Sequence, residues 1–154
     1  KKRGEGAIVI IGSTAGQRGE AGYAHYAASK GALHAFTKSV AVELAPFGIG
    51  VNAVAPGWVA SSGMDSYDPA FTQQIIPMMS ELVPLKRMST EAEVSSAICF
   101  LLSEGAAFIS GSCVKIDGAA SLNAKLFPLP DHDRSKPYQG FHRYQPPKAV
   151  AERD

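Results

Sequence analysis

The sequence predicts an α/β protein in which parallel strands form one sheet and helices cross between them. Three observations predict it. Residues 7–12, 49–55 and 112–116 are short, almost uniformly apolar runs, the mark of strands buried on both faces. Segments with helical periodicity separate them. Strand, helix, strand, helix, strand is the order that parallel pairing through helical crossovers produces.

Each element has its own reason. Residues 7–12 read Ala-Ile-Val-Ile-Ile-Gly, and residues 14–22 form a glycine-rich loop. A helix is expected from about Tyr23 to Glu43 or Ala45, ended by Pro46 and Gly48. Ala24, Ala27, Ala28, Ser29, Gly31 and Ala32 make its early part rich in small residues, so another backbone can approach closely; Leu33, Phe36, Val40 and Leu44 continue an apolar stripe. The second strand stops at Pro56-Gly57, and Ala60 to Gly63 reads as a polar loop. Residues 69–82 suggest a short helical lid carrying Phe71, Ile75, Ile76, Met78 and Met79. A clearer helix covers 91–103, with Ser89 or Thr90 as its N-cap and Val94, Ala97, Ile98, Leu101 and Leu102 as its stripe. The last thirty or so residues are rich in proline, charge and aromatics.

With 154 residues and 45% apolar content, the chain can bury a core. Fifteen basic and 14 acidic residues are spread along it for a formal net charge of +1, which argues against nucleic acid as a partner. Its apolar runs fall short of the roughly 18 residues that suggest a membrane span. No signal-peptide pattern opens it, so a cytoplasmic protein is expected. Cys99 and Cys113 are expected to be buried free thiols. The chain opens without methionine, directly before a core strand whose outer edge would be unpaired, and is expected to be a fragment.

The chemistry gathers at the first strand's end. Ser13 follows that strand, and Tyr26-x-x-x-Lys30 begins the next helix thirteen residues later. Spaced i and i+4, the phenol and the ammonium share one helix face, at the strand-to-helix position where open α/β sheets place ligands. Gly12, Gly16 and Gly19 lack the G-x-G-x-x-G spacing of a phosphate loop. Gly12-Ser13-Thr14-Ala15-Gly16 has threonine where a hydrolase nucleophile elbow needs serine. Asp131, His132, Asp133 and His142 lack compact ligand spacing, so no metal is expected.

Further motifs follow in order: Val51-Asn52-Ala53-Val54-Ala55-Pro56-Gly57, Pro84-Leu85-x-Arg87 before Glu93-Val94, Phe100-Leu101-Leu102-Ser103, Ile109-x-Gly111 and Asp117-Gly118. Together with Ser13 and the Tyr26/Lys30 pair, they resemble the second half of a short-chain dehydrogenase/reductase over residues 6–122. The resemblance implies the C-terminal part of a doubly wound, parallel-sheet Rossmann fold. Its three strands with helical crossovers would occupy a catalytic half-domain at 1–122, with an irregular C-terminal tail at 123–154. It implies an oxidoreductase that uses NAD or NADP to interconvert a carbonyl and an alcohol. Tyr26 would be the acid/base. An ordinary tyrosine titrates near about 10, and Lys30 would favour its phenolate. Lys30 would also hold the nicotinamide ribose, and Ser13 would bond the substrate oxygen. Pro56, Gly57, Val59 and Ser61 match the segment that contacts the nicotinamide carboxamide, with Ser61 where the family usually has threonine.

Trp58, Met64 and the lid residues favour a hydrophobic or acyl-type small-molecule substrate. The resemblance further implies a homodimer or homotetramer through the Tyr26-bearing helix and the final helix and strand. Met88-Ser89-Thr90 and Ala119 depart from the family's usual glycine and proline. The family's first half, with its pyrophosphate turn, is not in this sequence, so the chain alone is expected to be inactive. The rival readings are an interaction module that retains the fold without activity, and a serine hydrolase using Ser13.

Overall fold

β1 (Gly6–Ile11) pairs in parallel with β2 (Ile49–Pro56), Ala7 opposite Gly50 and Ile11 opposite Val54. β5 (Cys113–Ile116) pairs in parallel with the other edge of β2, giving the sheet order β1-β2-β5. All three strands lie within a residue of their expected bounds. This computed structural model describes residues 4–123 and 130–140. Two compact units emerge, Lys1–Pro56 with Ser95–Ile116, and Gly57–Val94 with Asp117–Asp154.

In the first unit β2 is central, and Val51, Ala53, Val54 and Ala55 are fully buried, as a doubly covered strand requires. Asn52 is buried among them, so its amide must be satisfied. Its Nδ2 donates to Ile109 O at 2.7 Å, and its Oδ1 accepts from Ser112 N at 3.1 Å. Asn52 thereby pins the loop that feeds β5. Val54, Leu101 and Ala106 form the core, with Val9, Ala97, Ile98, Ile109 and Ile116 against it. β1 is an edge of the described sheet, and Ile8 and Ile11 are partly exposed.

The glycine-rich loop contains one helical turn, α1 (Ala15–Arg18), which periodicity cannot register in four residues. Gly19, at φ +78°, stops it. α2 runs Ala24–Leu44 as expected and closes through a 3-10 turn, Ala45–Phe47, and left-handed Gly48. Its inner stripe differs from the expected one. Thr37 and Ala41 are buried while Phe36 is exposed. Polar Lys30, His34 and Thr37 take inward positions because backbone carbonyls satisfy them, Thr37 Oγ1 donating to Leu33 O at 2.7 Å. The cysteine expectation needs correction too: both thiols are free, but Cys99 is exposed and Cys113 is half-buried.

In the second unit β3 (Val59–Ala60) and β4 (Ser89–Thr90) make a short parallel pair. Ser62–Ser66, expected in part as loop, is a 3-10 turn. α3 (Pro69–Leu82) has the bounds expected for that helix and starts where Asp68 Oδ1 accepts from Ala70 N at 2.8 Å. Ala60, Met64, Ile76 and Met88 form the core, with Trp58 and Met79 packed on it. Met64 and Ile76 are thus core residues; Phe71 and Met78 face outward.

α4 (Glu91–Leu102) opens with a capping box, which selects Thr90 over Ser89. Thr90 Oγ1 accepts from Glu93 N at 3.2 Å, and Glu93 Oε2 accepts from Thr90 N at 2.9 Å. Residues 130–140 form no helix or strand and bind along Pro84 to Glu93. His132 meets Pro84 O, Lys86 pairs with Asp131, Arg87 donates to Ser135 Oγ, and Thr90 donates to Tyr138 O. The rest of the expected tail, including Phe127 and His142, lies outside the described residues.

Candidate active site

Beyond β1 the ladder continues through alternate residues: Gly12 N donates to Val54 O at 2.8 Å and Thr14 N to Pro56 O at 3.1 Å. In an extended chain the intervening carbonyls, those of Ile11 and Ser13, face away from β2. α2 supplies a donor to each. Lys30 Nζ donates to Ile11 O at 3.0 Å, and His34 Nε2 lies 2.9 Å from Ser13 O. One helical turn separates the two side chains, matching the two-residue step along the strand.

Glycine lets α2 come this close. A Cβ on Gly12 would lie 2.5 Å from the His34 ring, and one on Gly16 would lie 2.5 Å from the Lys30 carbonyl carbon. The expected close approach to the small-residue helix is therefore made, at least in part, inside the chain, by Gly16 against Gly31.

Tyr26 is 40% exposed, and its ring centroid lies 5.8 Å from Lys30 Nζ, within cation–π range. Lys30 is tied to the strand two residues before Ser13. Ser13 is half-buried, and its Oγ accepts from Ala15 N at 3.2 Å. A hydroxyl that accepts still has its own proton to donate. His34 meets Ser13 at the carbonyl oxygen, not at the hydroxyl, so the two are not a nucleophile and its base.

Pro56 ends β2, and its carbonyl also takes the Thr14 hydroxyl at 3.4 Å. In the second unit, Gly57 packs on Asp117, where an added Cβ would fall 2.8 Å from the Asp117 Cβ. Asp117 is buried and accepts from Ala119 N and Ser121 N at 3.1 and 2.9 Å. Val59 lies in β3, and Ser61 precedes the 3-10 turn, its carbonyl accepting from Met64 N at 3.0 Å. Tyr23 and His25 are exposed. Among the described residues, no group of three or more His, Cys, Asp or Glu is placed to hold a metal, and no helix is long and apolar enough to cross a membrane.

Sequence reasoning missed His34, Gln17 and Cys113. Gln17 Nε2 donates to Cys113 Sγ at 3.2 Å, and that sulfur lies 3.3 Å from His34 Nδ1. The only sequence signal was His34 one turn after Lys30 on the face that carries the pair.

A family model described as enoyl-(acyl carrier protein) reductase matches residues 1–121, which include Ser13, the Tyr26/Lys30 pair and the Asn52 strand. The chain belongs to the short-chain dehydrogenase/reductase family. Relatives of this short-chain dehydrogenase/reductase include an uncharacterized oxidoreductase of Bacillus subtilis, 41% identical over 113 residues, 73% of this chain and 45% of the relative. The 3-oxoacyl-[acyl-carrier-protein] reductase MabA of Mycobacterium avium is 35% identical over 122 residues, 79% of this chain and 46% of that protein. A crystal structure of a variant actinorhodin polyketide ketoreductase with NADPH superposes with a TM-score of 0.72 at 33% identity, covering 78% of this chain and 49% of that one. The chain thus spans about half the length of the proteins it matches.

Proposed function

We propose that Ser13, Tyr26 and Lys30 are the proton-handling groups of an NAD(P)-dependent oxidoreductase that interconverts a carbonyl and an alcohol. The observation that carries this reading is the Tyr26/Lys30 pair, anchored by Lys30 to Ile11 two residues before Ser13.

The residues fit a nicotinamide coenzyme. Lys30 has three N–H donors and uses one on Ile11 O, leaving two for neighbouring ribose hydroxyls. Pro56, Gly57, Val59 and Ser61 offer backbone groups and a hydroxyl suited to a carboxamide. The bound coenzyme would supply or accept the hydride. In the reducing direction the Tyr26 phenol gives its proton to the carbonyl oxygen, while the Ser13 hydroxyl donates a hydrogen bond to that oxygen. In the oxidising direction the Tyr26 oxygen takes the proton back, with the Lys30 ammonium beside its ring.

A hydrophobic or acyl-type substrate is supported by the family model, by the acyl-carrier reductase among the relatives, and by Phe71 and Met78 exposed on α3. A second copy of the chain is the proposed partner. Phe36 and Val42 on α2, with Phe100 and Leu102 on α4, present apolar surface for it.

Tyr26→Phe in the whole protein tests the reading. Turnover should fall by at least about 10²-fold, with coenzyme affinity measured by fluorescence titration nearly unchanged. Near-normal turnover would remove Tyr26 from the role.

A further inference from the structure

We propose that His34 is a positioning residue for Ser13, held in one tautomer by a hydrogen-bond relay that starts at Gln17 and passes through Cys113. This deepens the oxidoreductase reading and rests on it.

The relay follows from which atoms can donate. Ser13 O only accepts, so His34 Nε2, 2.9 Å away, carries a proton and donates it. A neutral ring then has a bare lone pair at Nδ1, and Cys113 Sγ lies 3.3 Å from it. The thiol must therefore be the donor. Burial pushes the Cys113 thiol up against the opposing pull of Lys115, Lys38 and the Gln17 bond, which keeps S–H in place. Gln17 Nε2 donates to the same sulfur at 3.2 Å. The chain of donors runs Gln17 N–H to Cys113 sulfur, Cys113 S–H to Nδ1, and Nε2–H to the Ser13 carbonyl. It links α1, β5 and α2 to the end of β1. A thiol paired with neutral imidazole is a fixed relay; a nucleophile would need thiolate and imidazolium.

The His34 ring also covers Gly12, where no Cβ would fit. The peptide that carries Ser13 is thus held from its carbonyl and from the residue before it. Its hydroxyl is aimed by backbone that His34 fixes.

Steady-state kinetics of the whole protein, with ¹⁵N spectra of labelled histidine in this chain, test the relay. His34→Leu should lower kcat about tenfold, the worth of one hydrogen bond, with coenzyme KM unchanged. His34→Gln, which returns an N–H near Nε2, should recover most of that loss. Cys113→Ala should lower kcat to a lesser degree, and Cys113→Ser should recover it. The spectra should show His34 as the Nε2–H tautomer, with its Nδ1 signal displaced in Cys113→Ala. Equal losses in His34→Leu and His34→Gln, an unchanged kcat in His34→Leu, or an Nδ1–H tautomer would overturn the proposal. If His34→Leu fails to fold, the Cys113 pair and the spectra decide alone. A dispensable relay alongside an inactive Tyr26→Phe would sink this inference and spare the oxidoreductase reading.

Discussion

Ala119 is held at φ +68°, in the left-handed region where a Cβ crowds the following carbonyl. The chain turns there because Asp117 binds the Ala119 and Ser121 amides, and because Gly118, at φ +56°, has no room for a side chain beside Val83. Ala119→Gly relieves the crowding at some cost in chain entropy. It should raise stability by up to about 1 kcal/mol in urea unfolding; a midpoint lowered by the change would mean that the turn stores no strain beyond the entropy that glycine adds. This departure from the family's second glycine was visible in the sequence, and its strain was not. The placement of Ser13 past a strand end, and of Tyr26 beside Lys30, was legible because a strand end and a helical turn fix their spacing locally. His34 and Cys113 were not, because 79 residues separate them and only the fold makes them neighbours.

At the scale of elements, Glu93 carries the most consequence. It accepts two bonds from Arg87, at 2.8 and 2.7 Å, one from Thr90 N at 2.9 Å and one from Tyr138 N at 3.1 Å. Burial pushes its carboxyl up, but the bonds from Arg87, Thr90 and Tyr138 together outweigh burial and hold it below the usual range. The folded state therefore prefers the carboxylate. Its stabilisation is complete above the ordinary glutamate value of about 4.3 and is lost as pH falls through the lowered folded value. Urea-unfolding stability should fall more steeply between about pH 6 and pH 3 in the native chain than in Glu93→Gln. Equal slopes would refute the assignment. Helix positions were legible from caps and breakers, and facing was less so. Hydrophobicity alone placed Phe36 inward on α2, whereas carbonyls of the strand end and of the helix itself admit Lys30, His34 and Thr37 there. Met64 was no more legible, because a lone methionine does not reveal that Ala60, Ile76 and Met88 enclose it.

For the whole molecule, the parallel pairing of the strands was readable from alternation of strands and helices, and their order came from the fold. The second unit's separate core was not, since its apolar residues are scattered from Trp58 to Met88. The exposed apolar side chains of α2 and α4 give the oligomer its test. Val42, 75% exposed, should tolerate glutamate in the fold, yet Val42→Glu should lower the mass of the whole protein in sedimentation equilibrium. A mass equal to that of the native protein would show that α2 is not an interface. Both units are built from separated stretches of chain, the first resuming at Ser95 after leaving off at Pro56. A ribosome adding about 5–20 residues per second needs roughly 3–12 s to travel from Pro56 to Ile116. For most of that interval Leu101 has not been added and β2 lacks β5, so the nascent chain displays an apolar strand edge that holding chaperones would recognise.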